Sequence, residues 1–322
     1  MKNWKEKWNM SDAISYLIQE SKKRSSGLSW IGMVLDACLC FVLYRSTFHD
    51  YINLRFYEKK ADERETFLTT EMVKAEKKKW NKRDVNRVDD KGLFNSEFSR
   101  YVSRDWIDLD KVSKKDIDSF LNGKTICFVK PKRESSGIGV QKIQVSDIVD
   151  VSAFIKRHQG CLLEDPVVIC SELKQLNPQS MSQIRVVTVV NGDEVNILAA
   201  TLRSGCNCEF NTAKNDLFAH VDIMTGKVYT NGIDEAGKWY ERHPVSGVPF
   251  VGFQIPCWDE IIRTCVEAAK VIPEVKVVGW DVAVTEDHGV TFFEGNPGSG
   301  VTSMQIADKI GKKDLFYQYL ES

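Results

Sequence analysis

The chain has 322 residues, 43% of them hydrophobic and 28% charged, with 44 basic and 45 acidic side chains for a formal net charge of −1. That composition supports a packed core and excludes a wholly disordered chain, and the length suits about two domains. The charge balance gives no global basic surface for nucleic acid, although residues 1–100 alone hold 20 basic and 15 acidic side chains.

The most apolar stretch is residues 28–44, preceded by the basic Lys22-Lys23-Arg24. Its 17 residues would rise about 26 Å as a helix, short of a hydrocarbon core of roughly 30 Å. Asp36 sits mid-run, where a bilayer centre would penalise it. The stretch reads as a buried helix, and neither a transmembrane span nor a signal peptide is expected. Residues 48–84 continue helical and charged without Gly or Pro, the Lys-rich 74–82 being a solvated face. Residues 1–85 therefore read as a helical N-terminal region.

From Thr125 the pattern changes to strands. TICFVKP is a strand ending in Lys-Pro, RESSGIG a small-residue loop, and VQKIQV a second strand. Residues 147–157 have helical spacing with Asp147 as N-cap. CLLEDPVV is a third strand. IRVVTVV and VNILAATLR flank Asn191-Gly192-Asp193, a hairpin signal, and VDIMTGKVY reads as another hairpin. A helix is expected over 258–271, then two strands joined near 287–289. Hairpins outnumber strand–helix–strand units, which favours α+β architecture. Nine scattered cysteines, with no Cys-x-x-Cys, argue against a disulfide framework or structural zinc.

Three groups of residues carry chemistry. Lys130 at a strand end, followed by the Ser/Gly loop, is suited to cradle phosphate, since glycines let backbone N–H groups approach anionic oxygens. An ordinary hairpin turn is the alternative. Asp281, Glu294 and Asn296 lie in two adjacent strands, and residues two apart share a sheet face. Three convergent oxygen donors suit Mg²⁺, and a carboxylate closing an apolar run needs a partner; the alternative is a polar sheet face. Arg185 and Arg203 border apolar strands and can aim planar forks at phosphoryl or carboxylate oxygens, or simply face solvent. His243 and Trp280 read as a turn histidine and a core aromatic.

Between residues 50 and 300 the order of segments resembles ATP-grasp proteins. The matching pieces are DYINLRFY with the following ER and FLT, DKGLF, CFVKP, SSGIG, LLED, IRVVTV, LAATLRSG, VDIMTG, HPVSGVPFVGFQIPCW, VGWDVAV and FFEGNPG. The likeness is greatest to the sugar-transfer-associated branch linked to bacterial polysaccharide genes. It implies two α+β subdomains clasping ATP, a small lid subdomain and linker at 86–168 and a large metal-bearing subdomain at 169–322. It implies Lys91 and Lys130 as phosphate lysines, and Ser135, Ser136, Gly137 and Gly139 as the lid loop. Glu164, Asp165 and Val167 would form the adenine hinge, with Asp165 or Glu172 on the ribose. Asp281, Glu294 and Asn296 would hold Mg²⁺, and Arg185 and Arg203 would stabilise the transferring phosphoryl group.

The activity so implied is a cytoplasmic ATP-dependent carboxylate–amine ligase working through an acyl phosphate. Its substrates would be small carboxylates and amines, such as a uronic-acid sugar and an amino acid. A kinase acting on a hydroxyl and a degenerate nucleotide-binding module are the alternatives. The sequence departs from the family pattern at Ser182-Gln183, where Asn-Thr is frequent, at Ile169-Cys170, where Gln-His is, and at Asn215-Asp216, where Gly-Gly is.

Overall fold

A computed structural model describes residues 10–23, 29–134, 137–206, 216–234 and 237–321. Ahead of the first strand lie α1 (Met10–Lys23), α2 (Trp30–Tyr44), α3 (Phe48–Asn53), α4 (Ala61–Glu65), α5 (Thr70–Trp80), α6 (Val85–Asp89) and α7 (Lys91–Glu97). Next come β1 (Trp106–Asp108), α8 (Lys114–Leu121), β2 (Ile126–Pro131), β3 (Gln141–Gln144), α9 (Val151–Arg157) and β4 (Cys161–Glu164). These strands form an antiparallel sheet in the order β1-β4-β2-β3.

The rest of the chain supplies α10 (Ser171–Lys174), β5 (Ser182–Asn191), β6 (Glu194–Gly205), β7 (Asp216–Val221), β8 (Gly232–Ile233) and β9 (Trp239–Tyr240). It closes with α11 (Trp258–Val271), β10 (Val277–Val284), β11 (Val290–Pro297) and α12 (Lys313–Glu321). The second sheet runs β11-β10-β5-β6-β7-β8-β9, antiparallel at every pairing. The β5–β6 hairpin turns at Gly192, whose φ of +58° suits a residue without Cβ.

The period of two divides this larger sheet into two chemistries. Ile184, Val186, Leu202, Ala219, Val278 and Trp280 face the buried side of α11, made of Ile261, Cys265 and Ala268. The alternate residues face the other way. At one end of that face Val187, Val189 and Val277 pack on Leu68, Trp80 and Phe316, which come from the N-terminal region and α12. At the other end the same face opens into a cleft.

Side-chain amides fix the N-terminal region to the sheet. Asn81 donates to the Val277 carbonyl (2.9 Å) and accepts from the Val277 N–H (3.0 Å), while Gln305 bonds both the N–H and the C=O of Leu68 at 2.9 Å. Asp50, fully buried, accepts from Thr47 and from the Thr70 N–H and hydroxyl, and so locks α3 against the start of α5.

The structure corrects four local readings. The apolar run does form α2, but it is not a buried helix: Met33, Ala37 and Cys40 are covered while the opposite side is exposed. Asp36 interrupts the run because the Arg64 guanidinium grips it with two bonds of 2.8 Å, joined by the Tyr51 hydroxyl at 2.8 Å. Residues 48–84 are broken into short helices, since the chain reverses through Arg55 at φ +52°. The helix expected from 147 begins at Val151, because Asp150 rather than Asp147 caps the N–H groups of Ser152 and Ala153. The strand from Cys161 ends at Glu164, ahead of Pro166, which has no N–H to donate.

Among the described residues no helix is long and apolar enough to cross a membrane. The described cysteines are all free thiols. His243 and Trp280 are buried, on Ser204 Oγ (3.2 Å) and Thr188 Oγ1 (2.9 Å) respectively.

Candidate nucleotide and metal site

The cleft has a volume of about 1310 Å³ and is lined by residues of both sheets and of the N-terminal helices. Its floor is the polar end of the large sheet. Asp281 stands opposite Glu294 on one side and opposite Arg185 on the other. Gly279, two residues before Asp281, pairs with Asn296, so the register places Asn296 one step along the same face. Next across the sheet come Arg203 on β6 and Asp216, Phe218 and His220 on β7, all lining the cleft.

Opposite charges are interleaved on this floor. Arg185 holds Asp281 through Nε and Nη2, and donates to Ser299 Oγ (2.9 Å) through Nη1. Burial opposes the Arg185 charge, but Asp281 more than compensates, and the guanidinium pKa is raised. Arg203 bonds Asp216 (2.9 Å) and lies 3.7 Å from Asp281. Its Nε is buried and has no hydrogen-bond partner among the described residues. Asn296 Nδ2 reaches Glu294 at 3.2 Å and Asp281 at 3.4 Å. Burial works against the Glu294 charge, yet Lys91 (3.1 Å away) and Arg185 outweigh it and hold the carboxyl at about 2. Burial raises the pKa of Asp216, only partly offset by Arg203.

Lys91 opens α7, whose first N–H groups are capped by Asp90. Its ammonium bridges Glu294 and the carbonyl of Glu134 (2.5 Å) in the loop after β2. One cation thus touches both the large sheet and the loop of the small one. Lys130, on β2, pairs with Glu164 at 2.6 Å. In that loop Gly137 and Gly139 adopt φ of +71° and +74°, and a Cβ on Gly139 would lie 2.8 Å from Pro131 Cγ. Gly137 lines the cleft. Ser135 and Ser136 lie outside the described residues.

Glu164, the first residue of the stretch expected as the adenine hinge, turns its side chain into the interior. Its carboxylate is fully buried among Lys130, Arg104 (2.7 Å) and Asn95 (3.0 Å). Arg104 also donates to the carbonyls of Phe292 (2.6 Å) and Phe293 (3.3 Å), so this cluster ties β4 to β11. Burial opposes the Glu164 charge, but Lys130 and Arg104 overcome it and drive its pKa far below the usual carboxylate range. The Glu164 backbone pairs with both neighbouring strands, and the Asp165 N–H goes to the Asp105 carbonyl (2.9 Å). Within this stretch Asp165 and Val167 line the cleft, with the Asp165 carboxylate held by Lys124 at 2.5 Å.

Glu172 is not brought to the cleft. It sits on the surface with His288 (3.1 Å) and Ser171 (2.9 Å), because α10 turns its first residues away from the sheet face. Of the two carboxylates expected beside a ribose, only Asp165 lines the cleft.

The donor set fits magnesium. Two carboxylates and an amide converge within hydrogen-bond reach, and Mg²⁺ takes hard oxygens while leaving room for water and phosphate. Among the described residues no three of His, Cys, Asp and Glu gather as a metal group, as a closed structural zinc site would require.

Sequence reasoning missed four participants. Arg104 and Asn95 carry no motif and are recognisable only from their burial around Glu164. Asp216 was visible only as a departure from Gly-Gly. His220 lies 3.4 Å from Asp308, which also takes Lys312 (2.7 Å) and the Tyr229 hydroxyl (2.8 Å). Burial opposes the Asp308 charge, but His220 and Lys312 pull its pKa well below the ordinary range.

A family model described as sugar-transfer-associated ATP-grasp matches residues 113–318, well over half of the chain. The chain belongs to that family. No curated protein matches it significantly. Solved structures similar to this ATP-grasp chain include the ATP-grasp ligase PsnB complexed with a minimal precursor, at 12% identity and a TM-score of 0.46, covering 74% of this chain and 62% of that one. The D-alanine–D-alanine ligase from Coxiella burnetii matches at 13% identity and a TM-score of 0.38, covering 68% and 50%. The L-amino acid ligase from Bacillus licheniformis matches at 10% and 0.41, covering 68% and 43%. The chain thus spans less than two thirds of each of these structures.

Proposed function

We propose that this ATP-grasp chain is an ATP-dependent carboxylate–amine ligase, using ATP and Mg²⁺ and passing through an acyl phosphate. The observation that carries the reading is the meeting, in one cleft, of the Lys91 and Lys130 ammonium groups, the Asp281/Glu294/Asn296 donors and the Arg185/Arg203 forks. A uronic-acid carboxylate and an amino-acid amine, in polysaccharide or small-metabolite biosynthesis, are the substrates we would test first.

In this reading Asp281, Glu294 and Asn296 hold the metal. Bound magnesium supplies positive charge to the nucleotide phosphates. Lys91 and Lys130 bind phosphate oxygens, and each must loosen its present carboxylate to do so. The acceptor carboxylate oxygen attacks the γ-phosphorus, the bond to the β-phosphate oxygen breaks, and ADP leaves. Arg185 and Arg203 are fixed forks beside the reacting centre and offset charge as it develops, with little reorganisation. The amine then bonds to the acyl carbon, phosphate leaves and the amine gives up a proton. The loop carrying Gly137 covers the phosphates and keeps water from the acyl phosphate. Val167 and Asp165 border the nucleoside.

The test is ADP formation with Mg·ATP against pooled carboxylates, including uronic acids and amino acids, with hydroxylamine as the trap. A hydroxamate that disappears in Glu294→Gln is the expected result. A stable phosphoester formed from a hydroxyl compound, without hydroxamate from any acid, would overturn the ligase in favour of a kinase. Biological activity unchanged by Glu294→Gln would instead favour a nucleotide-binding module without catalysis.

A further inference from the structure

Most of the apolar surface of α2 is left uncovered by the described residues. Ile31, Leu35, Leu39 and Val42, spaced as one helical face, are 53%, 66%, 52% and 75% exposed. Isolated exposed leucines need no explanation, but a contiguous stripe on one helix marks an interaction surface. The face opposite to it buries Met33, Ala37 and Cys40 in the N-terminal core, so the orientation of the helix is fixed.

Three further observations identify what covers the stripe. First, apart from Asp36, the charged residues nearest the helix in sequence, from Lys22 to Arg45, are all basic. Lys22 is exposed ahead of the helix, with Lys23 and Arg24 following in sequence, and Arg45 is exposed at its end. The helix has one acid, Asp36, and Arg64 and Tyr51 consume it. Second, Trp30 stands 41% exposed at the first turn, the type of residue that prefers a lipid–water boundary. Third, the stripe is continuous with the cleft: Val42 belongs to both, and its neighbour Phe41, 56% exposed, lines the cleft with Phe48, Ile52 and Ile306. Fifteen residues rise only about 22 Å, too short to span a bilayer but long enough to lie on one.

We propose that α2 docks this chain on an anionic lipid bilayer, lying in the interface with its Ile31–Val42 face in the acyl boundary and the apolar rim of the cleft turned toward the lipid. Burial of the apolar face supplies the anchoring, and the basic residues at its ends select anionic headgroups. A substrate with an apolar tail would then enter the cleft without crossing water. The docking itself stands whether or not the ligase reading does.

The experiment is co-sedimentation of the full chain with phosphatidylcholine vesicles, with and without phosphatidylglycerol. Binding to the anionic vesicles is expected, weakened by added salt and reduced at least about tenfold in the Leu35→Glu/Leu39→Glu variant. Both positions point outward, so the melting temperature should stay unchanged. Arg45→Glu keeps the stripe intact and should lose several-fold of the preference for anionic lipid. Absence of pelleting, or equal pelleting of the wild type and the double variant, would overturn the proposal. So would a stable dimer by light scattering that dissociates in Leu35→Glu, since a second copy would then be what covers the stripe.

Discussion

Glu164 and Glu294 are both carboxylates drawn below their usual pKa by cations against the opposition of burial, yet their surroundings differ in kind. Glu164 is fully buried; Arg104 and Asn95 hold it from within the protein, and of these partners only Lys130 lines the cleft. Glu294 faces the cleft, and its partners Lys91 and Asn296 face the cleft too. A carboxylate that keeps enclosed partners when one cation turns away is part of the scaffold, whereas one whose partners all open onto a cavity can exchange them for a ligand. The first arrangement joins the two sheets through Arg104; the second is available for chemistry.

Substitution is the most direct way to break this contrast. The largest effect is expected from Glu164→Gln, which leaves Arg104 and Lys130 buried with too little negative charge. Loss of one partner from such a cluster costs about 3–5 kcal/mol, and the melting temperature should fall by roughly 10 °C. A change of a degree or less in a thermal melt would show that the cluster is not structural. Glu294→Gln should act mainly on the chemistry, lowering acid-dependent ADP release at least about 100-fold, with a smaller loss of stability than Glu164→Gln because Lys91 keeps the Glu134 carbonyl and opens onto the cleft. A collapse of stability without a kinetic effect would erase the distinction.

Acid sharpens the comparison. Both carboxyls have folded pKa values below their unfolded ones, so their stabilisation is complete above about pH 5. It is lost as pH falls from the unfolded value of about 4.3 toward the folded values, which for Glu294 is about 2. Urea unfolding from pH 6 to pH 2.5 should show a steep decline, flattened in Glu164→Gln. An equally steep decline in that variant would place the acid sensitivity elsewhere. The smallest effect belongs to Glu267→Gln, whose partner Arg100 is on the surface at 3.1 Å. Stability should change by less than about 0.5 kcal/mol, a control for non-specific charge effects in the same urea titrations.

Much of the large sheet was legible because its strands alternate cleanly and Asn191-Gly192-Asp193 fixes the β5–β6 turn. The same periodicity placed Glu294 and Asn296 on one face, and hairpin pairing brings Asp281 opposite Glu294. What the sequence hid depends on distance along the chain. Arg104 meets Glu164 across 60 residues and Phe292 across 188, and no local pattern encodes such a meeting. Asp216 joins the site only through the register of β6 with β7. Apolarity revealed that residues 30–44 form a helix but not which of its faces the protein covers, because that is decided by what packs against it. The burial of the Glu164 carboxylate was hidden for a related reason: a strand-end glutamate looks the same in sequence whether its carboxylate faces solvent or an arginine.

We infer that the polar end of the large sheet is a magnesium–nucleotide site. The most direct test of this inference is a calorimetric titration of the full chain with Mg²⁺ and a non-hydrolysable ATP analogue, in the wild type and in Glu294→Gln. One nucleotide per chain is expected, with affinity weakened at least about tenfold in the variant and a melting temperature without ligand that falls less than in Glu164→Gln. Equal affinity in the two proteins, or no metal-dependent nucleotide binding to the wild type, would contradict the inference.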